Sequence, residues 1–249
     1  MCSARWMRIR LDTQLVAQGL APSREKAKRL ILAGAVRANG QLAAKPSDLV
    51  EENAKLELLA AEKFVSRGGY KLEAALAAWN VDCRETVCMD IGASTGGFTD
   101  CLLQRGAGRI HAVDVGKGQL DWKLRQDKRV VVHDELNARN LKPADIGEMA
   151  DLVTIDVSFI SLQKLLAAAI AVLRPGGTLI ALIKPQFEAG RRQVKKGGVV
   201  RDPSVHQQVI DATTEFSTKT LAMQLIGVIE SPLLGPAGNK EFLIGLRKP

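Results

Sequence analysis

Residues 86–103 read TVCMDIGASTGGFTDCLL. An apolar run of strand length, Thr86 to Ile91, closes around Asp90, and a turn carrying Gly92, Gly96 and Gly97 follows before a helix begins. Glycines in such a turn let the backbone come close to a ligand. The next apolar run, Arg109 to Val113, ends at Asp114, about 20 residues on, where an acid in folds of this kind hydrogen-bonds ribose hydroxyls. Asp90, Gly92, Gly96, Gly97 and Asp114 therefore outline a nucleoside pocket, with Ser94 and Thr95 standing between the glycines of the turn. The Gly-x-Gly-x-x-Gly spacing of dinucleotide sites is absent, because Ala93-Ser94 follow Gly92, and an acid leading the turn suits a ligand without a pyrophosphate.

Outward from this stretch the same rhythm repeats. Val130 to Val132, Asp151 to Ile155 and Thr178 to Ile183 are further apolar runs, separated by segments long enough for crossover helices. Near-continuous apolarity predicts strands buried on both faces of a parallel sheet. Gln224 to Ile229 and Phe242 to Leu246 lie close together and suit an antiparallel finishing pair, while Arg67 to Trp79 reads as a helix outside the sheet. The fold class is α/β, a Rossmann-like doubly wound domain preceded by a small α+β domain.

That small domain starts with a helix over Arg10 to Leu20, stopped by Gly19, and a second helix capped by Ser23 with Ala27, Leu30 and Ile31 on one face. Ala35–Ala38, Asn39-Gly40 and Gln41-Leu42 read as strand, type I′ turn and strand, and an alternation around Leu56 to Leu58 closes a small sheet. Arg8, Arg10, Arg24, Lys26, Lys28, Arg29, Arg37 and Lys45 face only Asp12 and Glu25 before Pro46. With a formal net charge of +8 for the 249 residues, the chain favours a polyanionic partner.

Other classes are disfavoured. The longest apolar run, Leu165 to Leu173, is too short to span a bilayer, and the basic N-terminal residues lack the apolar stretch of a signal peptide, so a cytoplasmic location is expected. Cys2, Cys83, Cys88 and Cys101 form no Cys-x-x-Cys pair and His111, His133 and His206 are scattered, so no metal site is expected and the cysteines read as reduced and structural.

Four chemistry-bearing residues fall where the sheet would gather them: Lys71 in SRGGYKL, Asp156 in TIDVSF, Lys184 in LIKPQFE and Glu241 in GNKEFL. Ligands of open α/β sheets bind outside the carboxyl ends of the strands, so Asp156 and Lys184 should converge beside the cofactor. Arg191, Arg192, Lys195, Lys196 and Arg201 follow the fifth run, as a solvated loop or one that grips RNA.

The segment RLDTQLVAQGLAPSREKAKRLILAGAVRANGQL resembles the compact RNA-binding fold shared by small-subunit ribosomal protein four, pseudouridine synthases and tyrosyl-tRNA synthetases. The resemblance implies RNA contacts, mainly to phosphates, through Arg10, Ser23, Arg24, Lys28, Arg29 and Arg37. Over nearly its full length the chain resembles the TlyA family of rRNA 2′-O-methyltransferases, also called haemolysins, and its second half is similar to FtsJ-type RNA ribose methyltransferases. DIGASTGGFTDCLL, AVDVG, DVSFISL, LIKPQFE and the GN-x-E segment carry the match in order.

This resemblance implies an RNA-binding domain over 1–59, a linker over 60–66 and a methyltransferase domain over 67–249. It implies S-adenosylmethionine as cofactor, rRNA or ribosomal subunits as partner, and a Lys71-Asp156-Lys184-Glu241 tetrad acting on a ribose 2′-hydroxyl, cytidine in the family. Lys184 would be the base, Asp156 and Glu241 would orient the two lysines, and Lys71 would help position the ribose; a sulfonium is a good leaving group without a metal. Asp134 is the candidate at the adenine end, although the family commonly carries a threonine before Asn137 where this chain has Leu136. Two rivals stand beside the enzyme: an RNA or ribosome chaperone, which would not need the tetrad, and a membrane-lytic protein, suggested by the haemolysin name alone.

Overall fold

The apolar runs after residue 86 become strands of one sheet in the computed structural model of the chain, which describes residues 8–32, 34–43, 45–59, 63–190, 193–194 and 197–249. The chain divides between Lys63 and Phe64 into two compact units.

In the first unit, strand β1 (Arg8–Arg10) leads into helices α1 (Leu11–Ala17) and α2 (Arg24–Leu32), followed by β2 (Val36–Ala38), β3 (Gln41–Leu42), β4 (Leu49–Glu51) and β5 (Leu56–Leu58). β2 lies between β3 and β5 in a three-stranded sheet. The β2–β3 turn has Asn39 at φ 49° and Gly40 at φ 80°, the paired left-handed conformations of the expected type I′ hairpin. Leu11 and Leu15 of α1 and Ala27 and Ile31 of α2 are buried at the i, i+4 spacing, against Val36 and Leu56. The backbone N–H of Lys26 donates to Ser23 Oγ at 3.2 Å, which is the anticipated cap of α2. β1 and β4, which pair with each other, were not anticipated: RIR and LVE are three residues each, too short to show a period.

The second unit begins before the helix α3 (Gly68–Ala78). Phe64 and Val65, expected in the linker, belong to it instead. Phe64 is buried and packs edge-on against Tyr70 with ring centroids 5.1 Å apart, and the Val65 N–H donates to Asp100 Oδ2 at 2.8 Å. Residues 60–62 of that linker lie outside the described residues.

The sheet is then laid down as β6 (Val87–Ile91), α4 (Gly97–Gln104), β7 (Arg109–Val113), α5 (Trp122–Arg125), β8 (Val130–His133), a 3₁₀ turn at Ala138–Asn140, α6 (Pro143–Ile146) and β9 (Ala150–Ile155). It continues with α7 (Gln163–Val172), β10 (Leu173–Ile183), α8 (Pro185–Glu188), α9 (Pro203–Glu215), a π-helical segment at Phe216–Thr220, β11 (Gln224–Glu230) and β12 (Phe242–Arg247). The strand order is β11-β12-β10-β9-β6-β7-β8. β6 to β10 are parallel, and β12 and β11 finish the sheet antiparallel.

One face buries Met89, Val113, Val153 and Ile155 against Leu165, Leu166 and Ala169 of α7. The other buries Cys88, Ile110, Leu152 and Ile180 against Leu72 and Leu76 of α3 and Leu102 of α4. Two covered faces are the cause of the unbroken apolar runs. Burial pushes the thiols of Cys83 and Cys88 up, to about 11 and about 12, so both stay protonated packing groups. The chain runs outward from β6 to β8 and returns to β9 on the other side of β6. The crevice at the carboxyl ends of β6 and β9 is thus the topological switch point, where ligands of such sheets bind.

Candidate active site

Two cavities open at this switch point and share Gly92, Ser94, Asp156 and Ser158. Gly92 is held at φ 83°, and a Cβ placed on it would lie 2.6 Å from the Asp156 carbonyl oxygen, so only glycine lets the turn after β6 pass the end of β9.

The first cavity, about 380 Å³, is lined on its apolar sides by Val113, Val115, Leu136 and Ile160 and on its polar sides by Ser94, Asp114, Gln119 and Asn137. Asp114 is fixed before any ligand arrives, accepting the Ser94 N–H at 2.8 Å through Oδ2 and the Gly116 N–H at 2.7 Å through Oδ1. Asn137 Oδ1 accepts the Arg139 N–H at 3.1 Å, which caps the 3₁₀ turn.

The second cavity, about 280 Å³, is lined by Lys71, Asp156, Lys184 and Glu241 together with Ser158, Arg67 and the glycine turn, including Thr95 and Gly97. Lys71 comes from the first turn of α3 and meets Glu241, just ahead of β12, at 2.5 Å. Lys184 follows β10 and meets Asp156, just after β9, at 2.6 Å, while donating to Ser158 Oγ at 3.0 Å. Both lysines and Glu241 are buried. The four residues singled out from the sequence therefore lie on the wall of one cavity as two acid–lysine pairs. Ser158 had escaped notice, although it sits in the same DVSFISL segment as Asp156.

Three of the expected cofactor residues stand elsewhere. Asp90 is fully buried behind the turn, with Oδ2 accepting from Thr99 Oγ1 at 2.7 Å and Oδ1 from Thr154 Oγ1 at 3.1 Å, and it lines neither cavity. Gly96, at φ 98°, caps the start of α4 and packs on Leu120 and Leu124. Asp134 is occupied by Arg125, whose Nη2 lies 3.0 and 2.8 Å from its two oxygens, and by the Gly118 N–H at 3.2 Å. Leu136, Asn137 and Ala138 stand on the cavity wall in its place.

Desolvation pushes the Asp90 carboxyl up to about 7, against the two threonine hydrogen bonds that favour its charge. The raised value sets the sign of a pH effect. Stability from the protonated form is fully present below the unfolded value of 3.8 and is lost as pH rises through about 7. Asp90→Asn, which cannot ionise, is expected to flatten the pH dependence of stability over this window, on the order of a few kcal/mol from end to end. Urea midpoints of both proteins across that range measure it; parallel curves would remove the argument.

Phe159 was also missed. It is 91% exposed and held at φ 65°, a strained conformation for a bulky residue that costs on the order of 1–3 kcal/mol and clusters at functional sites. Its ring stands at the mouth of the first cavity, 5.2 Å from that of Phe187 on α8. Glu188 clamps the loop behind it, accepting from Ser161 Oγ at 2.7 Å and the Leu162 N–H at 2.6 Å.

In the first unit, Arg10 and Arg24 converge on Asp12, whose side chain is fully buried, at 2.9 and 3.2 Å. Arg29 pairs with Glu25 at 3.3 Å, and Ser23, Lys28 and Arg37 are exposed. The hydrogen bond from Arg10 is the main cause holding the Asp12 carboxyl down, at about 2. Arg191, Arg192, Lys195 and Lys196 lie outside the described residues, and Arg201 is exposed.

Comparison with known proteins agrees with this division. The model of FtsJ-like methyltransferases matches residues 64–248, and that of S4 domains matches residues 9–56. The chain is 45% identical over 242 residues to the 16S/23S rRNA (cytidine-2′-O)-methyltransferase TlyA of Mycobacterium tuberculosis, covering 96% of this chain and 90% of that one. It is 38% identical to Hemolysin A of Brachyspira hyodysenteriae over 94% of this chain and 98% of that one. A solved structure of a Streptococcus thermophilus protein named as a hemolysin superposes with a TM-score of 0.75 at 44% identity, covering 97% of this chain and 88% of that one. The chain belongs to the FtsJ-like methyltransferase family, with an S4 domain ahead of the methyltransferase domain.

Proposed function

We propose that the chain transfers a methyl group from S-adenosylmethionine to a ribose 2′-hydroxyl of rRNA, at cytidine as the name of its Mycobacterium tuberculosis relative states. The observation that carries this is the pair of buried acid–lysine contacts on the cavity that shares Gly92 and Asp156 with a nucleoside-sized neighbour.

The residues of the first cavity fit the cofactor. Asp114 suits ribose hydroxyls, Asn137 and the apolar walls suit an adenine, and Gly92, without a side chain, lines both cavities. Bound there, S-adenosylmethionine supplies an electrophilic methyl group whose C–S bond electrons stay on sulfur as the ribose oxygen takes it.

The chain's own residues do the rest. An alcohol is a weak nucleophile, so its proton must be taken as the new bond forms. Lys184, oriented by Asp156 and Ser158, is the group placed to take the hydroxyl proton. Lys71, held by Glu241, faces the same cavity and positions the ribose. The S4 domain supplies RNA affinity, and rRNA as substrate implies the cytoplasm. Among the described residues no helix is long and apolar enough to cross a membrane.

Incubating the protein with methyl-labelled S-adenosylmethionine and rRNA or ribosomal subunits tests the proposal. Label in RNA supports it, and RNA binding without label would support a chaperone instead.

The RNA-binding role of the S4 domain has a test of sign. Two guanidiniums sharing one buried carboxylate are held in a fixed orientation for phosphates. Asp12→Asn raises the net charge by one, which bulk electrostatics would turn into tighter binding. With Arg10 and Arg24 released, the Kd for RNA is expected to rise several-fold, with the circular dichroism of the protein unchanged. A Kd that falls would show that the arginines act by charge alone.

A further inference from the structure

Gln186 Oε1 is the one buried side-chain oxygen among the described residues that has no hydrogen-bond partner. A buried acceptor has given up its water, and native proteins rarely leave one unmatched unless a ligand or water completes it. Gln186 lies on α8, two residues beyond Lys184, and lines a third cleft of about 650 Å³. The same cleft is lined by Phe159 and Phe187, the tilted aromatic pair, and by the cations Arg139 and Lys164. Phe159 also stands on the wall of the nucleoside-sized cavity, so the cleft adjoins the cofactor cavity, while Gln186 follows Lys184 of the transfer cavity by two residues.

Each of these groups calls for a different part of one ligand. Exposed aromatic rings stack an unpaired base, and cations hold phosphate oxygens. An unmatched carbonyl oxygen calls for an N–H donor. A nucleotide drawn out of its helix answers all three, and its base edge decides whether the last is met. Cytosine and adenine place an exocyclic amine where uracil places a carbonyl oxygen, which would face Gln186 Oε1 acceptor to acceptor.

We propose that Gln186 is a specificity-determining residue: with its amide turned into the cleft, its Oε1 accepts an N–H from the exocyclic amine of the nucleotide being modified, while Phe159 and Phe187 stack that base. Amino-bearing bases are thereby selected over uracil. The inference rests on the reading of the neighbouring cavity as a ribose methyl-transfer site.

The test uses the full chain with transcripts of the rRNA segment that the wild-type protein labels, carrying cytidine or uridine at the labelled position. The wild type is expected to favour cytidine in kcat/KM by roughly tenfold, the worth of one hydrogen bond and of the acceptor clash it replaces. Gln186→Leu is expected to bring that ratio close to one, with S-adenosylmethionine binding unchanged. Gln186→Glu, which keeps an acceptor and loses the donor, is expected to keep the preference. An unchanged ratio in Gln186→Leu, a lost preference in Gln186→Glu, or native labelling of uridine would overturn the proposal. Absence of label from every RNA with the wild-type protein would instead bring down the transfer reading, and this inference with it.

Discussion

Lys184→Ala is expected to lower the rate of methyl transfer by about 10²–10⁴-fold, the usual contribution of a positioned general base. RNA and S-adenosylmethionine should bind almost as before. The argument lies in the geometry of one nitrogen: it contacts Asp156 at 2.6 Å and Ser158 at 3.0 Å on the wall of the transfer cavity. The loss should fall on kcat, because the interaction is made only as the hydroxyl reacts. Lys184→Arg sharpens the result. Arginine keeps the charge and the Asp156 partner but does not deprotonate in proteins, so it should be nearly as inactive. Single-turnover rates measure both variants, and an active arginine variant would reduce Lys184 to an electrostatic role.

Glu241→Ala should be the most destabilising change at the site. Its side chain is 1% exposed and its partner Lys71 10% exposed, so removing the acid leaves a buried ammonium unpaired. Breaking such a pair costs about 3–5 kcal/mol, whereas replacing both partners with apolar groups is often neutral. In a unit of this size the single variant should melt on the order of 10 °C lower. Lys71→Met/Glu241→Leu is expected to recover most of that Tm while remaining inactive. Calorimetry with the transfer assay separates the outcomes. A double variant that is both stable and active would show that the pair contributes nothing to the reaction.

The fold was legible where burial writes itself into the sequence. β6, β7, β9 and the second half of β10 are covered on both faces, so each is an apolar run, and the Asn39-Gly40 turn is dictated by its left-handed residues. β1 and β4 were not legible, since each exists only because the other supplies its hydrogen bonds. Phe64 read as linker because nothing local shows that it lies beneath Gly69 and Tyr70.

At the site, the strand ends announced Asp156 and Lys184, and the family resemblance added the roles of Lys71 and Glu241. What a residue's neighbours do was hidden. Arg125 reaches forward nine positions to occupy Asp134, and Asp90 turns inward to two threonines, one of them on β9. The left-handed Phe159 and the unmatched oxygen of Gln186 are properties of packing, with no signature in composition or spacing.

The most direct test of the central claim is where the methyl group ends up. rRNA labelled by the protein should be cleaved with alkali, which needs a free 2′-hydroxyl beside each phosphate. A 2′-O-methylated ribose blocks that cleavage, so the label is predicted in alkali-resistant dinucleotides. Label released entirely in mononucleotides would mean that a base had been methylated, contradicting the assignment of the Lys71, Asp156, Lys184 and Glu241 cavity to a ribose hydroxyl.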